Sequence, residues 1–323
     1  MRVLVTGGAG FIGSNFVRMI ADGRLKGITS VTVLDKLTYA GNVNSLDEAS
    51  QFNGFSFIQG DICDRQLVNR ILADVDAVIN FAAESHVDRS ISGAEDFVQT
   101  NIVGVQVLLD AIKSSGRNLR FLQVSTDEVY GSIDSGSWTE SSPLLPNSPY
   151  SASKAGGELL ARAYHKTHGL DVVVTRCSNN YGTHHFPEKL IPLFITNLIE
   201  GKKVPVYGSG LNVRDWLHVD DHCRGIHLVL TKGKSGEVYN IGGGRELTNL
   251  VITELILKSM GATMDSVEFV ADRKGHDFRY SVNWEKICKQ LGYTPQVSFE
   301  AGLEETVNWY RNNEMWWKPL KAL

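Results

Sequence analysis

Three features of the sequence predict an α/β protein, a doubly wound parallel sheet joined to a smaller C-terminal domain. Short apolar runs alternate with helical stretches through residues 1–178, a glycine-rich turn separates the first run from the first helix, and the alternation lapses from residue 179. Arg2 to Thr6 is the first run; it ends in Gly7-Gly8-Ala9-Gly10-Phe11-Ile12-Gly13, after which Asn15 to Ala21 reads as helix. Further strands are predicted for SVTVLD ending at Asp35, FSFIQGD ending at Asp61, AVINFAA ending at Ala83 and LRFLQVST ending at Thr126. DVVVTRCSN adds another, and WLHV and EVYNIGG are read as late additions to the same sheet. Residues 1–178 therefore make the first domain, with segments near 214–243 returning to it. Residues 179–323, where Pro187, Pro192, Pro205 and a glycine-rich stretch break the pattern, make most of the second.

The composition narrows the class. A chain of 323 residues with 42% hydrophobic content is long enough for one large core or two smaller ones. A formal charge of -4, with no basic block, argues against a nucleic-acid or membrane-surface binder. Cys63, Cys177, Cys223 and Cys288 lie far apart without a CxxC, so buried reduced thiols are expected rather than a disulfide framework or a zinc site. The chain opens directly on a strand and has no apolar run of membrane-spanning length, and a cytoplasmic location is expected.

The glycines read either as Gly7-x-x-Gly10-x-x-Gly13 or as Gly8-x-Gly10-x-x-Gly13. In both, small residues stand where the backbone must approach a pyrophosphate and the helix must pack on the strand, with the helix N-terminus facing the anion. The turn follows a strand, opens a helix and is answered by Asp35 at the end of the second strand, which makes it a Rossmann-type dinucleotide site. Asp35 is placed to accept the ribose hydroxyls of an adenosine and to repel a 2′-phosphate, favouring NAD over NADP. Asp61, followed by Ile62, is placed to meet the adenine amine.

In SPYSASKAGGELLARAYHKTHG, Ser148 caps a helix and Pro149 takes its first position, so Tyr150 lies in the first turn and Lys154 one turn along the same face. An ammonium beside a phenol favours the phenolate, and a nicotinamide cation adds to that effect, so Tyr150 is a candidate base. Thr126 stands at a strand end with its hydroxyl available to a substrate oxygen. Asp127 and Glu128 extend the same loop. Adjacent carboxyl groups in a closed site split their titrations, one remaining an acid while the other is an ionised base, as an elimination requires.

These residues resemble the extended short-chain dehydrogenase/reductase superfamily and, more closely, the dTDP-glucose 4,6-dehydratases. The segments that carry the resemblance span nearly the whole chain: TGGAGFIGSNF, LDKLTYAGN, GDICD, FAAESHVDRSI, TNIVG, VSTDEVYGSI, PNSPYSASKAG, RCSNNYG, FPEKLIPLFI, YGSGLNVRDWLHVDDHCRGI, YNIGGG and DRKGHDFRY. The resemblance implies a catalytic set of Thr126, Asp127, Glu128, Tyr150 and Lys154, with Asp127 as acid and Glu128 as base. It implies a tightly held NAD, regenerated each turnover, in contact with Gly7, Gly10, Phe11, Ile12, Gly13, Asp35, Lys36, Leu37, Thr38, Asp61, Ile62, Ala82, Ala83, Thr100, Tyr150, Lys154 and Asn180. For a nucleotide sugar it implies Ser85 and Thr126 at the hexose, and Asn179, Lys189, Leu190, Pro205, Tyr207, Arg214, Asn249 and His276 further out, with Arg214 opposite the diphosphate. It also implies a homodimer built through EDFVQTNIVGVQVLLDAIKSS and the Tyr150 helix.

Two departures from the family pattern stand out. A proline common after Asn-Asn-Tyr-Gly is replaced by Thr183-His184-His185-Phe186, which opens the question of whether these histidines touch the ligand; no metal is expected, since sequence places no third ligand. Ser209 replaces a frequent aspartate. The alternatives are another nucleotide-sugar enzyme, such as an epimerase or decarboxylase or a dehydratase of a UDP-sugar, and a non-catalytic NAD sensor. Loss of one water from the product separates the first from a dehydratase, and a single turnover excludes the second.

Overall fold

The computed structural model describes residues 1–273 and 275–322. The strands are β1 (Arg2–Thr6), β2 (Ser30–Asp35), β3 (Phe55–Gln59), β4 (Ala77–Asn80), β5 (Arg120–Thr126), β6 (Val172–Cys177), β7 (Asn179–Tyr181), β8 (Val204–Tyr207), β9 (Val213–His218), β10 (Val238–Ile241), β11 (Glu246–Thr248) and β12 (Val267–Val270). Seven of them form one parallel sheet in the order β3-β2-β1-β4-β5-β6-β10. The order reverses between β1 and β4, and in such sheets the crevice at the carboxyl ends beside that switch is where ligands bind.

The helices are α1 (Phe11–Ala21), α2 (Arg65–Leu72), α3 (Val87–Ser92), α4 (Glu95–Val98), α5 (Val105–Ser114), α6 (Pro149–His168), α7 (Leu190–Ile199), α8 (Val219–Lys232), α9 (Asn249–Met260), α10 (Glu285–Leu291), α11 (Phe299–Asn312) and α12 (Glu314–Lys321). Alternate residues of β1 serve opposite faces of the sheet, as the two-residue repeat of a strand requires. Val3 and Val5 pack with Phe16, Val17 and Ile226 from α1 and α8, whereas Leu4 packs with Val68, Leu108 and Ala161 from α2, α5 and α6. A third apolar cluster lies outside this sheet and gathers Ile195, Ile252, Val307, Tyr310 and Trp317.

The EVYNIGG expectation holds, since β10 pairs with β6. WLHV does not join that sheet. Its strand, β9, pairs in parallel with β7 and antiparallel with β11 in a separate three-stranded sheet, because β10 already occupies the outer edge of β6. Two strands also end earlier than the apolar runs suggest, β3 at Gln59 and β4 at Asn80, so Gly60-Asp61 and Phe81–Ala83 leave the sheet as loops at its carboxyl edge. α1 begins at Phe11 rather than Asn15, directly from an extended Gly10. Of the thiols, all free, Cys177 and Cys223 are buried as expected but Cys63 and Cys288 are only half-buried.

Between α4 and α5 the helix widens into a π-turn over Gln99–Gly104. The widening presents the Asn101 side chain to the loop after β4, where it accepts from the Glu84 N–H at 3.0 Å and donates to the Glu84 carbonyl at 3.0 Å and to Ser153 Oγ at 2.8 Å. The loop that carries Ala82 to Ser85 is thereby fixed against α6.

Candidate active site

Two adjoining cavities open at the carboxyl edge of the central sheet, of about 310 Å³ and 290 Å³. The first is built around the glycine turn. Gly7, at φ +67, tolerates no side chain, since a Cβ there would lie 2.5 Å from the Ala82 nitrogen; a Cβ on Gly13 would lie 2.4 Å from the Gly7 carbonyl oxygen. Gly10 caps α1 without any side-chain bond, which leaves the N–H groups of its first turn facing the crevice. Asp35 sits beside them, its carboxylate accepting from the Ala9 N–H at 2.9 Å and the Leu37 N–H at 2.8 Å. Lys36 pairs with Asp61 at 2.8 Å across the far end.

Every residue expected at the dinucleotide lines this first cavity except Leu37, whose backbone instead orients Asp35 from a left-handed turn at φ +56 while its side chain packs into the core. A bare helix N-terminus, glycines that admit a close backbone approach, and a carboxylate at the end of β2 fit NAD.

The five side chains expected to be catalytic line the same cavity. Thr126 closes β5; its hydroxyl donates to Asp127 Oδ1 at 3.2 Å and accepts from the Glu128 N–H at 3.3 Å. This starts a short 3-10 turn over Asp127–Tyr130 that buries Val129 and Tyr130 in a small core of their own and leaves both carboxyl groups in the cavity wall. The Ser148 side chain and Ser151 close a capping box at the start of α6, with Pro149 in the first turn, as the sequence predicts. Tyr150 and Lys154 both line the cavity from that helix.

Electrostatics separate these groups. Burial first, then the charge of Glu128, pushes the Asp127 carboxyl well above the usual range, and its Oδ2 has no partner. Burial also raises Glu128, but Arg214, Lys189 and Arg273 oppose the shift. Burial, then Glu128, pushes the Tyr150 phenol well above its ordinary value. The expected help from Lys154 does not set that value: burial lowers the Lys154 ammonium to about 8, and its Nζ donates to the Val124 carbonyl at 2.7 Å.

The second cavity holds Leu190, Pro205, Tyr207, Arg214, Asn249 and His276, the residues expected at the nucleotide. Arg214 is fixed by donation to the Val213 carbonyl at 2.7 Å and the Asp277 carbonyl at 2.9 Å, with its guanidinium 4.4 Å over the Tyr280 ring. Ser85, Glu128, Asn179, Asn180, His185, Glu188 and Lys189 line both cavities, so the two are one continuous groove, whereas Thr126 faces only the first. Sequence reasoning left out Arg273 and Glu188. Arg273 lines the second cavity and pairs with Asp88 at 2.9 Å; both it and Glu188 lie in segments that carry the resemblance, DRKGHDFRY and FPEKLIPLFI, which was the available signal.

The family model described as GDP-mannose 4,6 dehydratase matches residues 4–306. A dTDP-glucose 4,6-dehydratase of Streptomyces niveus is 60% identical over 324 aligned residues, covering 100% of this chain and 96% of that protein. One from an Actinoplanes species is 59% identical, covering 98% of this chain and 100% of that one. Among solved structures, DesIV, a dTDP-glucose 4,6-dehydratase of Streptomyces venezuelae with NAD and TYD bound, superposes with a TM-score of 0.97 at 60% identity, covering 99% and 100% of the two chains. The chain belongs to the GDP-mannose 4,6 dehydratase family and, within it, to the dTDP-glucose 4,6-dehydratases.

Proposed function

We propose that this protein is a hydro-lyase that converts dTDP-glucose to dTDP-4-keto-6-deoxy-glucose, with NAD held in the first cavity and the nucleotide in the second. The observation that carries this reading is the pair of adjacent carboxyl groups, Asp127 and Glu128, in one wall with Tyr150, at the junction of a dinucleotide crevice and a groove lined by Arg214, Lys189 and Arg273.

The residues lining the first cavity would hold NAD, and the cofactor would supply a hydride acceptor for C4 of the sugar and a hydride donor for C6. Tyr150 removes the proton of the 4-hydroxyl, and the positive charge of a bound oxidised cofactor would lower its phenol from the raised value that burial and Glu128 give it. Thr126 hydrogen-bonds the 4-oxygen and polarises the carbonyl as it forms. The 4-ketone acidifies C5, and Glu128 removes that proton. Asp127, held protonated by its burial, donates to the departing 6-hydroxyl, which leaves as water. Glu128 returns its proton to C5, and the proton gained at Tyr150 balances the one lost from Asp127, so the net change is one water. The fixed, planar guanidinium of Arg214 suits the diphosphate.

The proposed division of labour gives the cofactor mainly to residues 1–178, whose sheet β10 joins, and the nucleotide mainly to residues 179–323. A homodimer is the proposed assembly. α6 exposes Leu159 at 51%, together with Ala152 and Ala163, and α4 exposes Val98 at 46%, an apolar surface that suits a bundle of these helices from two copies. Four free thiols fit the reducing cytoplasm proposed for it.

Incubation of the pure protein with dTDP-glucose and UDP-glucose separately, followed by product mass, tests the reading. A product one water lighter from dTDP-glucose is expected. An isomer of unchanged mass would make the enzyme an epimerase, and equal turnover of both substrates would refute thymidine selectivity.

A further inference from the structure

The Thr183–Phe186 departure lies where β7 leads into α7, and its His185 and Phe186 line the first cavity. The His185 ring stacks on Phe11, the first residue of the helix that faces the pyrophosphate, with centroids 3.9 Å apart and planes 10° from parallel. Phe186 meets Tyr39 edge-on at 5.5 Å, and the Tyr39 hydroxyl donates to Glu188 at 3.1 Å. Tyr39 belongs to the loop after β2 whose neighbours Lys36, Thr38, Ala40 and Gly41 line the cavity. Arg89 covers the outer face of Tyr39, 3.6 Å from the ring centre, and approaches Glu188 at 3.5 Å. The segment thus touches both the first turn of α1 and the loop after β2, two elements that line the dinucleotide cavity.

Its other side is anchored. His184 is held at φ +62, a conformation costly for a residue with a Cβ, with its ring 4.2 Å from Trp309 and 5.4 Å from Trp316. The Tyr310 hydroxyl donates to the His185 carbonyl. The tryptophan-rich C-terminus therefore serves the site indirectly, as the post to which this segment is tied. His185 is kept neutral by burial and by Lys189, which suits a ring stacked on phenylalanine, and its Nδ1 has no protein partner.

We propose that His184 to Glu188, closed onto Phe11 and Tyr39, form a strap that retains NAD between turnovers, with His185, Glu188 and Tyr39 as its retaining residues. The proposal rests on NAD being the resident cofactor. A contact that must part before the ligand leaves acts chiefly on the dissociation rate.

The test uses holoenzyme and the variants Tyr39→Phe, Glu188→Gln and His185→Leu. Each is passed into NAD-free buffer, and NAD remaining per chain is extracted and quantified over time. Loss of a hydrogen bond to a carboxylate in Tyr39→Phe should speed NAD release about tenfold, and His185→Leu should release it at least as fast. Release from Tyr39→Phe at the wild-type rate overturns the strap, whatever the other variants do, because that change removes a single oxygen and leaves the ring packing in place. A wild-type protein that holds no NAD would overturn the proposed function instead, so the two failures are distinguishable.

Discussion

Asp127→Asn should separate oxidation from elimination. The Asp127 side chain is 2% exposed, Oδ1 accepts from Thr126, and Oδ2 has no partner, so a neutral amide of the same shape fits the space while losing the transferable proton. General acid catalysis contributes roughly 10²- to 10⁴-fold, so the elimination step should slow by that factor, equivalent to about 2.7–5.5 kcal/mol of barrier. Single-turnover mixing with dTDP-glucose, followed through the absorbance of reduced nicotinamide and by product mass, should show NADH forming and then persisting. The stability effect has a definite sign. Asp127 titrates higher in the folded protein than in the unfolded chain, so the stability it contributes is full below the unfolded carboxylate value and is lost as pH rises through the folded one. The asparagine variant lacks that loss, and its melting temperature should fall less than the wild type's as pH rises. A first hydride transfer reduced as severely as in Tyr150→Phe would refute the assignment of Asp127 to the second step.

Tyr150→Phe should abolish the first hydride transfer itself, read as no NADH in the same single-turnover experiment. Glu128→Gln should permit oxidation but stall proton removal from C5, and because Glu128 raises the Tyr150 phenol, the pH dependence of NADH formation should shift to lower pH; an unshifted profile would show the two groups to be uncoupled. Gly13→Ala, with its Cβ 2.4 Å from the Gly7 carbonyl, should displace the glycine turn and purify with little NAD, measured by extraction from the denatured protein.

The strands of the central sheet and the first cavity were largely legible because both depend on short-range pattern. Glycine spacing fixes a turn, an acidic residue ends β2, and a Ser-Pro pair starts α6 whatever packs around them. WLHV failed for a different reason: an apolar run signals a buried strand but does not say which edge is free, and that depends on β10 far along the chain. Leu37 does not line the first cavity, and its backbone N–H donates to Asp35, a role the sequence does not announce. Arg214, Asn249 and His276 are unremarkable singly and became visible only through blocks resembling the family. Asn101 lies in TNIVG, a block that carries the resemblance, but its part arises from a π-turn that no periodicity announces.

Glu128 lies in the wall shared by both cavities, and its charge raises both Asp127 and Tyr150. In the proposed mechanism this coupling gives the elimination an internal order. While Glu128 is ionised it holds the Asp127 proton in place and keeps the acid intact through the oxidation. Once Glu128 accepts the C5 proton its charge is gone, and the Asp127 carboxyl becomes a stronger acid as the 6-hydroxyl needs to leave. Return of that proton to C5 restores the charge and draws Asp127 back to its protonated state. Two adjacent carboxyl groups therefore act as a pair whose second proton transfer is made easier by the first, which an acid and a base set far apart in the same groove would not achieve.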